Sequence, residues 1–191
     1  GFGKMRHDDA RLSLSFSIAE DFSSGLVPRF NSNGEIPPDV LSLIQDGELR
    51  NTLVSSRTAA EYGADTNYAE GDEYLRSPRM NSGDLSQDDV LSSLDKGLYL
   101  SNIHYLNWSD NPGGRITGLT RYACFWVENG EIKAPIKTMR FDDTFYRFFG
   151  DGLEAVGDKT ELIPEVQSYG GRNTGGTICP GILTSSFALT L

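Results

Sequence analysis

Residues 11–18, Arg-Leu-Ser-Leu-Ser-Phe-Ser-Ile, alternate strictly between polar and apolar, which predicts a strand with one buried face. Two further patterns read as hairpins. Val40 to Ile44 and Glu48 to Ser55 flank Asp46-Gly47, and Arg121 to Glu128 and Glu131 to Ile136 flank Asn129-Gly130. Both dipeptides tolerate the positive φ angles of a two-residue turn. In the second pair Ala123, Phe125 and Val127 alternate with Tyr122, Cys124 and Trp126, so both faces carry bulk and the strand is expected to be central. Pro135 should mark where its partner leaves the ladder.

Short helices are expected between the strands. The segment Ser56 to Gly63 has a capping residue in front and a glycine stop behind. Ser86 with Asp89, and Leu85 against Val90, predict a helix over 87–96 closed by Gly97. A third should start after Asp142 or Asp143, with Phe145, Tyr146, Phe148 and Phe149 in the core. The acid pairs Asp88-Asp89 and Asp142-Asp143 then read as helix-start caps. Residues 64–84 carry no period and predict a long exposed loop. The even spacing of Leu183, Phe187, Leu189 and Leu191 predicts a final strand docked in a sheet.

With 21 Gly and 8 Pro in 191 residues, turns and short strands are favoured over long helices. The resulting expectation is an α+β fold, mainly antiparallel sheet with short helices, in one domain spanning 1–191. The net charge of −10, from 17 basic and 27 acidic residues, disfavours contact with nucleic acid or an anionic membrane. No apolar stretch is long enough for a bilayer span or a signal peptide, and a cytoplasmic location is the expectation.

The densest polar and aromatic cluster runs from Ser101 to Asp110, followed by Asn111-Pro112-Gly113-Gly114-Arg115. His104 with Asp110 could make a general base and its orienting carboxylate. A histidine hydrogen-bonded at a strand end is the simpler reading, and an exposed aromatic loop that binds a peptide or partner is the third. The glycines of 170–176 lack the lysine of a phosphate cradle and read as a flexible loop. Strong metal donors are few: His7, His104, Cys124 and Cys179, in four different elements.

The run Gly97 to Tyr105, then Asp110, Gly114 to Arg121, Phe125 to Ile132, Met139 to Asp143, Leu53 to Ala59 and the ending Phe187 to Leu191 resemble the C-terminal domain of the TldD/PmbA family, named for a zinc metallopeptidase and a modulator of DNA gyrase. The resemblance implies a protein of more than twice this length that dimerises, with itself or with a TldD-like catalytic subunit. It also implies proteolysis or maturation of small or unfolded polypeptides. The start at Gly1-Phe2-Gly3, without methionine, predicts a fragment of such a protein. The family's H-E-x-x-x-H helix, whose histidines hold zinc and whose glutamate handles the water's proton, is absent from this sequence.

Aligning the family's glycine-rich cysteine site with Ser168 to Arg172 puts no cysteine at the ligand position, although Cys179 lies close enough to remain an alternative. The closer branch is therefore the PmbA/TldE-like, non-catalytic one. No cofactor is expected in this chain, zinc being left to the full-length protein or its partner, and the chain alone is expected to be inactive. The expected role is a share of the dimer interface and a peptide groove lined by Asn102, His104, Tyr105, Asn107, Asp110, Arg115 and Arg121. The rival is a non-enzymatic module that regulates a protein partner through the same segment.

Overall fold

A computed structural model describes residues 3–7, 9–166 and 168–190. In chain order its elements are α1 (Gly3–Arg6), β1 (Ile18–Asp21), β2 (Val40–Gln45), β3 (Glu48–Leu49), α2 (Ser56–Tyr62), β4 (Pro78–Met80), α3 (Val90–Leu94), β5 (Gly97–Asp110), β6 (Arg115–Glu128), β7 (Glu131–Pro135), β8 (Arg140–Thr144), α4 (Phe145–Phe148), β9 (Leu153–Pro164), β10 (Gly176–Thr184) and β11 (Leu189–Thr190). The fold is α+β, dominated by antiparallel strands with short helices. Two compact units form, one from 16–81 with 160–180, the other from the remaining stretches.

The first unit carries β1 to β4 with the end of β9 and most of β10, strands hydrogen-bonded in the order β3-β2-β1-β4-β10-β9. β1 is antiparallel to both β2 and β4, while β4 meets β10 in parallel at Arg79 and Ile178. The Asp46-Gly47 turn joins β2 to β3 with both φ angles positive, as its sequence predicts. Phe16, Phe22, Ile44 and Met80 are buried here. So is Glu20, whose carboxylate accepts from the backbone N–H of Arg76 and of Ser77. Those bonds draw a stretch expected to be an exposed loop against the sheet. Within it residues 78–80 form β4, and Ala69, Glu70, Ser77 and Met80 are buried, while the rest is irregular.

The second unit is built on the order β11-β8-β6-β5, with β7 pairing the far end of β6. β6 is central, β7 ends at Pro135, and Asn129 and Gly130 take φ angles of 55° and 69°, all as expected. Phe141 and Val127 are fully buried, and the Phe141 ring packs against Phe187 at 4.9 Å and Phe148 at 6.4 Å between centroids. Replacing Gly130 with Val should destabilise the chain by about 1–3 kcal/mol, because a β-branched residue resists positive φ. An added Cβ would also stand 3.3 Å from Ser92 Cα. An unchanged urea midpoint would refute it.

Several local expectations are corrected. The 11–18 alternation is not a strand: only Ile18 enters β1, and Leu14 is exposed. The Ser13 hydroxyl accepts from the Ser15 N–H and the Ser13 N–H goes to Phe149 O, so this backbone is satisfied without a ladder. α2 is capped by Ser55 rather than Ser56. The helix expected over 87–96 is a 3-10 turn at 87–89 followed by the shorter α3, because Asp95 leaves helical geometry at φ 50° and β5 begins at Gly97. Ser86 there accepts from Asp88 N–H instead of forming a box with Asp89.

Thr144, not an aspartate, caps α4, and Asp142 and Asp143 lie inside β8. The tail is two strands, β10 and β11, interrupted at 185–188. Leu191, the last position of its pattern, lies outside the described residues, as do Gly1 and Phe2 of the expected fragment boundary.

A polar sheet face beside a free strand edge as the candidate functional site

β5 and β6 form a long antiparallel hairpin closed by residues 111–114, where Gly114 takes φ 64° and its N–H reaches Asn111 O at 3.1 Å. The segment 102–110, for which an exposed aromatic loop was one of three readings, is therefore strand. Cross-strand pairing supplies the hydrogen bonds that its Asn, Ser and Asp side chains would otherwise offer the backbone. The register pairs Asn102 with Arg121, His104 with Leu119, Asn107 with Thr117 and Asp110 with Arg115.

Bulges make that set coherent. Three residues on β5 span two on β6 between His104 and Asn107, so one extra residue sits at Tyr105-Leu106, with Tyr105 at φ 52°. On β6 the extra residue falls after Arg121, where Tyr122 has φ 61°. Residues 115, 117, 119 and 121 share one face by alternation, and their partners share it with them. Asn102, His104, Asn107, Asp110, Arg115 and Arg121 thus lie on one face of the hairpin, while Tyr105 stands in the bulge.

The same face continues onto β8. Arg140 pairs with Leu119 and Asp142 with Thr117. Arg140 Nε donates to Thr117 Oγ1 at 3.2 Å, and Arg115 Nε lies 2.5 Å from Asp142 Oδ1. That oxygen has no aligned hydrogen-bond donor among the described residues, so the contact is an ion pair only. Arg140 and Asp142 were missed as face residues, and the alternation Arg140, Asp142 against Phe141, Asp143 is the signal that could have found them.

His104 and Asp110 cannot form a dyad. Six residues of one strand separate them, roughly 20 Å at the usual rise of about 3.3 Å per residue. His104 is half-buried mid-strand beside the Tyr105 ring, 4.3 Å between centroids, rather than at a strand end. The Asp110 side chain folds over Gly113, leaving no room for a Cβ there. The Arg121 guanidinium lies 4.5 Å from the centre of the Tyr122 ring.

β5 pairs only with β6, so its other edge is unpaired among the described residues. Along it Tyr99, Ile103, Tyr105, Leu106 and Trp108 are exposed. Cys124 is buried with its thiol on Arg121 O, and among the described residues no group of three or more His, Cys, Asp or Glu converges. Burial, with Glu161 nearby, pushes the Cys179 thiol up, away from the thiolate a metal takes.

A family model for the PmbA/TldA metallopeptidase C-terminal domain matches residues 17–191. The chain belongs to this family. Among solved structures, the PmbA/TldA C-terminal fold seen here is similar to TldE from Thermococcus kodakarensis, at TM-score 0.75 and 15% identity over 93% of this chain and 40% of that one. It is also similar to a candidate modulator of DNA gyrase from Thermotoga maritima, at TM-score 0.73 and 16% identity over 98% of this chain and 44% of that one. A third likeness, to a candidate gyrase modulator from Bacteroides thetaiotaomicron, has TM-score 0.69 and 14% identity over 98% and 41%.

The PmbA/TldA domain described here thus spans about two fifths of the length of each of those chains. A search of curated sequences finds no match. Among the described residues no helix is long and apolar enough to cross a membrane.

Proposed function

We propose that this domain supplies a peptide-binding strand edge, and part of a dimer interface, to a cytoplasmic PmbA/TldD-like metallopeptidase that acts on small or unfolded polypeptides. In this reading the chain is of the PmbA/TldE-like branch, the metal site belongs to the rest of the protein or to a TldD-like partner, and this chain alone cleaves nothing. One observation carries it: the unpaired edge of β5 bears exposed apolar side chains and borders a face of amide, imidazole and ionic groups. An extended peptide can add to such an edge through main-chain hydrogen bonds, which demand little of its sequence. The side chains of Asn102, His104 and Asn107 on β5 then stand beside those of the guest, with Arg115 and Arg121 one strand further in.

Trp108, half exposed on this strand, is a built-in reporter. Titration with a fluorescently labelled, permanently unfolded polypeptide should blue-shift its emission and raise the anisotropy of the label, and by that anisotropy Ile103→Lys with Trp108→Lys should weaken binding about tenfold or more. Equal binding by the double variant would sink the edge assignment. Binding of a folded protein but no unfolded polypeptide would favour the regulatory module instead.

A further inference from the structure

Over 102–108 the two faces of β5 differ in kind. Asn102, His104 and Asn107 pair with Arg121, Leu119 and Thr117, and so share one face with Arg115, Arg140 and Asp142. Ile103 and Trp108 pair with Thr120 and Ile116, and so share the opposite face. That face is the one turned to the core: Gly118 lies on it against the Phe141 ring, and Thr120 and Asp143 on it are buried. On β5 the same face is left open, with Ile103 and Trp108 exposed. The inserted residue at Tyr105-Leu106 keeps the polar set in phase. β6 meets Asn102, His104 and Asn107 at 121, 119 and 117, an unbroken step of two, and a guest on the other edge is offered the same step.

Main-chain bonds set no sequence, so selection falls to these two faces. Resting on the strand-edge reading above, we propose that β5 prefers an extended polypeptide whose apolar residues recur at every second position, with acidic or uncharged polar residues between them. The apolar side chains of such a guest lie beside Ile103 and Trp108 and carry the core at Phe141 outward across one more strand. Its other side chains stand beside Asn102, His104 and Asn107, where a polar group finds hydrogen-bond partners and an apolar one finds none. The preference for acids comes from the charge of that face. Arg115, Arg121 and Arg140 lie on it against Asp110 and Asp142, and Arg115 is held by Asp142. Arg121 lies over the Tyr122 ring and Arg140 donates to Thr117 Oγ1, neither of them in an ion pair among the described residues. The chain as a whole has the opposite sign, with a net charge of −10. Its long-range field therefore favours a basic guest while this face favours an acidic one, so the sign of the preference reports where the guest sits.

Fluorescently labelled, acetylated peptides of about eight residues are compared by anisotropy on the chain. Two share one composition of Val, Leu, Ser and Glu, in alternating apolar and polar order or in blocked order, and a third alternates with Lys in place of Glu. The alternating Glu peptide should bind about fivefold more tightly than the blocked one, the worth of two or three matched cross-strand neighbours. It should bind about threefold more tightly than the Lys peptide. Ile103→Thr with Trp108→Thr changes exposed positions to a strand former, and should erase the difference between alternating and blocked order. Arg121→Gln should erase the preference for Glu over Lys. Equal affinity for the two orders, or Lys bound as tightly as Glu, overturns the inference while leaving the strand edge in place. A difference in order that survives the threonine double variant puts the guest elsewhere and overturns it too. No binding of any of the three peptides removes the strand-edge reading, and this inference with it.

Discussion

Phe141→Ala should lower the stability of the chain by about 3–5 kcal/mol, the range for truncating a buried phenylalanine. Phe141 has no exposed surface and touches the rings of both Phe148 and Phe187, so three elements lose a shared contact at once. Its strand neighbour across β6 is Gly118, where an added Cβ would stand 2.8 Å from the Phe141 ring, so the absent side chain on one strand is the space that the ring of the other fills. Its partner on the other side is Leu189 of β11. Since a domain of this size is stable by about 5–15 kcal/mol in total, the variant should be near its folding limit. Urea denaturation at matched slope is the measurement, with Phe141→Leu expected to keep most of the loss back. A change under about 1 kcal/mol for the alanine variant would mean that the site collapses around the void.

The second large effect is expected at Asp143, whose carboxylate is 6% exposed. It takes a forked bond from Arg147, Nε to Oδ1 at 2.7 Å and Nη2 to Oδ2, and accepts from the Thr144 and Ala188 N–H groups. The same guanidinium reaches Ser186 through its hydroxyl and its carbonyl, so the pair ties the segment before β11 to the end of β8. Removing one partner of such a pair leaves a poorly solvated cation, and Asp143→Ala should cost about 3 kcal/mol. Burial pulls the carboxyl upward, but Arg147 and the two backbone donors outweigh it and hold it below the ordinary 3.8. The folded state therefore keeps the proton off more firmly than the unfolded state. Its contribution is full above about pH 4 and is lost as pH falls through the lower folded value. Wild type should thus lose stability between about pH 4 and pH 2 by more than Asp143→Ala does. Parallel acid profiles for the two proteins would contradict the assignment.

What was legible in the sequence is what is decided within a few residues. Asn129-Gly130 and Asp46-Gly47 encode turns by their own backbone preferences, and Gly63 and Pro135 stop elements for equally local reasons. The alternation at 11–18 misled because a period of two states a preference for strand, while a strand also needs a partner strand, and only Ile18 of the segment is in register with one. The loop at 64–84 misled in the opposite direction: Glu20 captures it from 56 and 57 residues away, a distance no local pattern reports. The family was readable from the order of its motifs, and the seven candidate residues were grouped by neighbourhood in sequence. That six of them share a face depends on two inserted residues in β5, one at Tyr105-Leu106 that turns Asn107 onto it and one at Ser109 that does the same for Asp110.

The bulges of the β5–β6 hairpin bear on self-association through its open edge. A strand of 14 residues with an open side and exposed aromatics is the kind of surface on which identical chains stack into fibres. The kink at Tyr105-Leu106, and a second extra residue at Ser109, interrupt the regular spacing of outward N–H and C=O groups, so two copies aligned over 97–104 fall out of step beyond it. A flexible guest can bend to follow that kink, whereas a rigid second copy of the same edge cannot. Deleting Leu106 to straighten the strand would be expected to trade solubility for regularity.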